Sequence, residues 1–358
     1  MSARTATAEH APAGAPDPVA LSAYLEQHID GFRGPLSISR LSGGQSNPTW
    51  HLRTPHADYA MRCKPAASHA LLPSAHAIER EFRVQAALAS SGVPVARMHC
   101  LCSDEAVIGV AFYVMEYVPG RIFWDQTLPS LSPSERAAIY DELNRVIALL
   151  HGVDPADVGL ADFGKTGNYF SRQIERWSRQ YRASETACIQ AMDQLIDWLP
   201  SHVPVDTTPQ VTIVHGDYRL DNAIFHPTQP RILAVIDWEL STLGHPLADL
   251  AYHTMSWHLP PGDLRGLAGV DLAALGIPDE SAYIRAYEQR SGRQISGDWN
   301  FHLAYNVFRI AAILQGVAHR AQQGTASGTH ALALGAQVAP LADIAWRFAS
   351  KVDSTCRP

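Results

Sequence analysis

The sequence predicts an α+β protein in two lobes, a small N-terminal lobe built on short β runs and a larger, mainly helical C-terminal lobe. Three observations carry this expectation. Up to about residue 118 the apolar residues come in short runs bounded by Gly, Pro and Asn. Beyond residue 132 they recur at helical spacing, and a chain of 358 residues is long for one core. The expected division is a disordered tail over residues 1–18, an N-terminal lobe over 19–118 and a helical lobe over 119–358.

Composition narrows the function classes. A hydrophobic content of 46% with 18% charged residues describes a soluble globular protein, and a formal charge of −7 argues against a nucleic-acid partner. Five cysteines, at positions 63, 100, 102, 188 and 356, are odd in number and lack zinc spacing, which fits a reducing cytoplasm. The first eighteen residues are rich in Ala, Pro and Thr without an apolar signal core.

In chain order, Leu41 to Trp50 reads as a turn rich in Gly, Ser and Asn, whose bare N–H groups could meet phosphate oxygens. A plain hairpin turn is the competing reading. Tyr59 to Lys64 reads as a strand ended by Pro65, with Arg62 and Lys64 on one face because side chains alternate. Ile78, Phe82, Gln85, Ala86 and Ala89 give a helix over about 76–90, with Glu81 in its first turns. The apolar run Ala106–Met115 is too short to cross a membrane. Ser132-Pro133-Ser134-Glu135 signals a helix start, with His151-Gly152 as its end. Apolar residues from Ile174 to Leu199 fit one or two further helices, and two last helices are expected over 299–322 and 329–350.

The chemistry concentrates in His215-Gly216-Asp217-Tyr218-Arg219-Leu220-Asp221-Asn222. Val211, Ile213 and Val214 lead in as a β run, and Ile232–Ile236 delivers Asp237 at the end of another. Asp217 and Asn222 are five apart, the separation of the base and the metal-binding Asn in protein-kinase catalytic loops. Arg219 could place charge near a transferring phosphate, and His215 reads as a brace for the loop. Asp237 with Asn222 makes a hard-oxygen pair suited to Mg²⁺.

H-G-D-x-x-x-x-N followed by I-D-W-E resembles the aminoglycoside phosphotransferase and choline kinase family, a branch of the protein-kinase-like fold. The resemblance implies Asp217 as catalytic base and Asn222 and Asp237 as Mg²⁺ ligands, with ATP, or GTP in its place, as donor. It also implies phosphate contacts from Gly44, Gln45, Ser46 and Asn47, a phosphate cation at Arg62 or else Lys64, and Glu81 as that cation's partner. Glu116, Tyr117 and Val118 become the stretch whose backbone meets adenine. Asp249, in the run Gly244–Tyr252, becomes a structural support for the loop carrying Asp237.

The resemblance implies a small molecule bearing a hydroxyl as acceptor, and the sequence leaves its identity open. Residues 250–349 hold seven Asp or Glu and seven Arg or Lys, so nothing there is acidic enough to single out a polycationic antibiotic. Gly-Gln-Ser-Asn-Pro-Thr and the Arg-x-Lys-Pro strand are most similar to the kinase-like domain fused to some acyl-CoA dehydrogenases, which implies a hydroxyacyl group or acyl-CoA. His253, Trp257, His258, Tyr305 and Arg309 are the candidate acceptor-lobe side chains. A metal hydrolase lacks its usual His motifs here, and a pseudokinase scaffold would be expected to have lost Asp217, Asn222 or Asp237. Oligomeric state leaves no mark.

Overall fold

Asp17 caps the first helix, its side chain accepting from Val19 N–H with Pro18 at the first position. The chain is therefore helical from Pro18, and the tail expected through residue 18 overlaps this cap. The computed structural model describes residues 15–41, 47–65, 78–205, 211–262, 264–295, 297–323 and 330–355. The chain forms two compact units, one of residues 1–90 and 95–119, the other of residues 91–94 and 120–358.

The first unit is a five-stranded antiparallel sheet in the order β1-β2-β3-β5-β4. Its elements are α1 (Pro18–His28), β1 (Ser37–Arg40), β2 (Thr49–Arg53), β3 (Asp58–Cys63), α2 (Ile78–Leu88), β4 (Met98–Cys102) and β5 (Phe112–Glu116). Alternation sorts the side chains. Leu52, Met61, Cys63, Phe112 and Val114 pack on Leu21 and Leu25 of α1, while Tyr113 packs with Ile78 and Phe82 of α2. Complete burial of Leu21 and Leu25 stabilises this unit by about 2 kcal/mol each. Burial raises the Cys63 thiol to about 12 and Cys100 to about 11, so neither is a thiolate at neutral pH.

The run Ala106–Met115 is not one strand. Asp104 accepts from Ala106 N–H, Gly109 N–H returns to Glu105, and Gly109 sits at φ 86°, so the chain turns before β5 begins at Phe112. Hydrophobicity alone could not show that turn.

The second unit carries α3 (Pro133–Gly152), α4 (Tyr169–Ser184), α5 (Gln190–Trp198), β6 (Thr212–Val214), β7 (Ala223–Phe225), β8 (Ile232–Val235), β9 (Thr242–Gly244), α6 (Pro246–Thr254), α7 (Leu272–Leu275), α8 (Glu280–Ser291), α9 (Trp299–Gln322), α10 (His330–Gly335) and α11 (Val338–Thr355). Ser132 and Glu135 close a reciprocal capping box on α3. The core gathers around α9, where Tyr305, Val307, Phe308, Ala311 and Ala312 are fully buried against α4, α6 and α11. The last helix expected over 329–350 is two, α10 and α11. Among the described residues no helix is long and apolar enough to cross a membrane.

Two antiparallel ribbons, β6 with β9 and β7 with β8, set up the loops between them. Val214 pairs with Thr242 and Ala223 with Val235, so loop 215–222 and Asp237 emerge at matched ends of the ribbons.

Candidate active site

In the first unit the structure brings together Arg62, Glu81, Asn47 and Tyr113. Arg62 and Tyr113 are cross-strand partners on the α2 face, and both reach Glu81: Arg62 Nε at 3.0 Å and Tyr113 Oη at 3.0 Å from Oε2. Asn47 Nδ2 donates to Glu81 Oε1 at 2.9 Å. Gly44, Gln45 and Ser46 lie outside the described residues. Lys64 follows the last residue of β3 and is exposed, which leaves Arg62 as the cation held in place. Glu116 N–H donates to Arg97 O at 2.8 Å. Tyr117 stacks on His51 with ring centroids 4.1 Å apart.

In the second unit loop 215–222 is held from several sides. Gly216 adopts φ +81°, and a Cβ there would lie 2.6 Å from Leu240 O, so the position admits glycine for two reasons. Asp249, buried on α6, accepts from His215 N–H at 2.7 Å and Gly216 N–H at 2.8 Å. It therefore holds the loop of Asp217 directly, where the sequence had pointed to the loop of Asp237. Burial alone would raise the Asp249 carboxyl, but His151 and the His215 N–H outweigh it and hold it below the ordinary range. His215 bridges the two loops, accepting at Nδ1 from Asp217 N–H and bonding Ile236 O through Nε2 at 3.0 Å.

Asp217 is the convergence point. Its Oδ1 accepts from Tyr252 Oη at 2.5 Å and lies 3.2 Å from Arg219 Nε, while its Oδ2 accepts from Asn222 Nδ2 at 2.9 Å. Burial and the Asp217 charge push the Tyr252 phenol far above its ordinary value, so it remains a donor. Arg219 also meets Asp221 at 3.2 Å; burial disfavours its charge, yet Asp217, Asp221 and Asp237 together raise its pKa. Asp221, itself buried, is shared with Arg265. Arg219 is thus tied to carboxylates and is not a free cation.

Asn222 spends its amide N–H₂ on Asp217, while its Oδ1 accepts no hydrogen bond among the described residues and suits a hard cation. Ile236 N–H donates to Asn222 O at 2.9 Å, which places Asp237 beside Asn222 along the β7–β8 ribbon. Asp237 sits at φ 67° at the start of a short 3₁₀ turn, a left-handed conformation that Asp tolerates better than most residues. Among the described residues no group of three or more His, Cys, Asp or Glu is placed to hold a metal alone. Asn222 and Asp237 fit Mg²⁺, which takes few protein ligands and completes its shell from phosphate and water.

The five candidate acceptor side chains are mostly core. His253 is buried beside Tyr218 and Tyr283, Trp257 donates to Pro278 O, His258 pairs with Glu280 at 2.6 Å and Tyr305 is fully buried. Two of them reach loop 215–222: His253 through the Tyr218 ring, and Arg309 by donating Nη2 to Gly216 O at 2.6 Å. Tyr252, Asp221 and Arg265 were missed by sequence reasoning; Tyr252 lies inside the run already singled out around Asp249, and an aromatic on α6 gave no sign of facing Asp217.

Residues 37–294 match the phosphotransferase enzyme family. The chain belongs to that family. This phosphotransferase is 58% identical to a solved protein of Ralstonia eutropha JMP134, provisionally named an aminoglycoside phosphotransferase, with a TM-score of 0.87 over 94% of this chain and 99% of that one. It is 47% identical over 334 residues to mouse acyl-CoA dehydrogenase family member 10, covering 91% of this chain. The phosphotransferase spans 31% of that mouse protein and less than half of the other curated relatives at the head of the comparison. A choline kinase from Cryptosporidium parvum shares the fold at TM-score 0.59 and 11% identity, over 95% of this chain and 96% of that one.

Proposed function

We propose that this small-molecule phosphotransferase moves the γ-phosphoryl group of ATP to an alcohol with Mg²⁺, and that the alcohol is carried by a hydroxyacyl group or acyl-CoA. The observation that carries the reading is the setting of Asp217, whose two oxygens are oriented by Tyr252, Arg219 and Asn222. A carboxylate so oriented can align a hydroxyl and take its proton as the new O–P bond forms and the bond from Pγ to the bridging oxygen breaks, releasing ADP. Asn222 and Asp237 are the residues that would hold Mg²⁺, whose charge would offset that of the phosphates. Arg62, fixed by Glu81, is assigned to the α and β phosphates, and Arg219 to charge near the loop. The donor is ATP, with GTP as the alternative.

Similarity to the dehydrogenase family members supports the acyl acceptor, and the balanced charge of residues 250–349 supports it over an aminoglycoside. Asp217→Asn should lower turnover by about a thousandfold while ADP binding stays within about twofold. Wild-type turnover in that variant would refute the base assignment. Release of ADP in the presence of β-hydroxyacyl-CoAs, aminoglycosides, choline and simple sugars would identify the acceptor, and turnover confined to an aminoglycoside would overturn the acyl reading.

A further inference from the structure

Two arginines that flank Trp177, one of them bonded to loop 215–222, differ from the site's other cations in having no acidic partner among the described residues. Arg62 meets Glu81, Arg219 meets Asp217 and Asp221, and Arg265 meets Asp221. Arg309, 5% exposed on α9, makes one hydrogen bond, to Gly216 O. Its guanidinium carbon lies 4.9 Å from the Tyr252 ring centroid and 5.5 Å from that of Trp177. Arg176, half-buried on α4, places its guanidinium carbon 5.1 Å from the same Trp177 ring. Among the described residues neither pairs with Asp or Glu, so one of Arg309's five N–H donors is used and none of Arg176's.

Two cations drawn out of water around one indole, without a counter-charge, are costly, by several kcal/mol per ion where burial is complete. Burial and the charge of Arg309 together hold the Arg176 guanidinium below its ordinary value. Tyr169 and Tyr305 lie within electrostatic reach of both arginines, but burial raises both phenols, so they remain neutral and supply no anion. The Asp217 charge is felt by Arg309, yet Tyr252 is the group that touches both. What this arrangement lacks is a negative group.

We propose that Arg176 and Arg309 form an anion subsite for the acceptor, holding a carboxylate or phosphate of the molecule whose hydroxyl meets Asp217. This rests on the phosphotransfer reading given above. Arg309 grips the carbonyl of the residue before Asp217, so an anion held by its remaining N–H groups sits on the acceptor side of the loop. Arg176, being partly exposed, is the entry. A polycation is repelled there, and a hydroxylated acid or its phosphate-bearing thioester is drawn in.

Calorimetric titration of the full chain with ADP and Mg²⁺ present tests this, using β-hydroxybutyrate, β-hydroxybutyryl-CoA, inorganic phosphate and the neutral ethyl β-hydroxybutyrate as probes. At least one anion should bind about tenfold more tightly than the ester; Arg176→Gln should weaken it by about tenfold, and Arg176→Lys should recover most of the loss. Preference for the free acid assigns a carboxylate; preference for the thioester or inorganic phosphate assigns a phosphate. Unchanged ADP affinity shows that the variants are folded. Equal binding of ester and anions, no anion binding, or an Arg176→Gln protein that binds anions like the wild type would each overturn the subsite. Phosphoryl transfer is measured separately: Arg176-dependent binding without transfer would sink the phosphotransfer reading and leave the subsite standing.

Discussion

Tyr252 donates to Asp217, the proposed base, and the contact makes a sharp test. Removing a hydrogen bond to a charged group leaves its partner less well oriented. Tyr252→Phe should therefore lower kcat by about tenfold while ADP binding stays within about twofold. A variant that turned over like the wild type would reduce Tyr252 to packing. The grouping of Asp217, Asn222 and Asp237 was legible in the sequence because short spacings and two adjacent β runs bring them together. Tyr252 was not, because its meeting with Asp217 depends on how α6 lies against the loop thirty-five residues away. The hydrogen bond from Asn47 to the buried carboxylate of Glu81 was equally hidden, because the two residues are thirty-four positions apart.

At the scale of elements, α3 and α9 were readable to within a few residues because capping chemistry and periodicity agree. β1 and β4 were not seen: β1 is short with exposed or half-buried positions, and β4 buries Cys100 and Cys102 in a run, Met-His-Cys-Leu-Cys, with no polar alternation to mark it. The catalytic loop is the element under most constraint. Gly216→Ala should cost roughly 2 kcal/mol through its positive φ and its clash with Leu240 O, read as a lowered denaturant midpoint, and should depress turnover as well. Asp249→Asn keeps the size but sets an N–H₂ group or a weaker oxygen against two backbone donors. A loss of about 3 kcal/mol is expected, and thermal unfolding at neutral pH would measure it.

For the whole molecule, acid stability follows from buried imidazoles. Burial lowers His253 to about 4 and lowers His151 as well. The unfolded chain binds protons at these sites from about pH 6.5 downward while the folded chain refuses them, so stability is full above that pH and falls as pH drops toward 4. His253 alone accounts for about 3 kcal/mol over that window, and urea midpoints measured from pH 7 to pH 4 should decline accordingly. A midpoint that held level would show the imidazole charging in place. The backbone bond from Ile236 to Asn222 has its own consequence for ion choice. On the proposed assignment it fixes two metal ligands to neighbouring strands of one narrow ribbon, where they cannot spread apart. Calcium needs a wider, more crowded oxygen shell than magnesium. Ca²⁺ should then occupy this place badly and slow the reaction rather than support it, so that the stiffness of a three-residue strand pair decides which of two abundant ions the cell can use here.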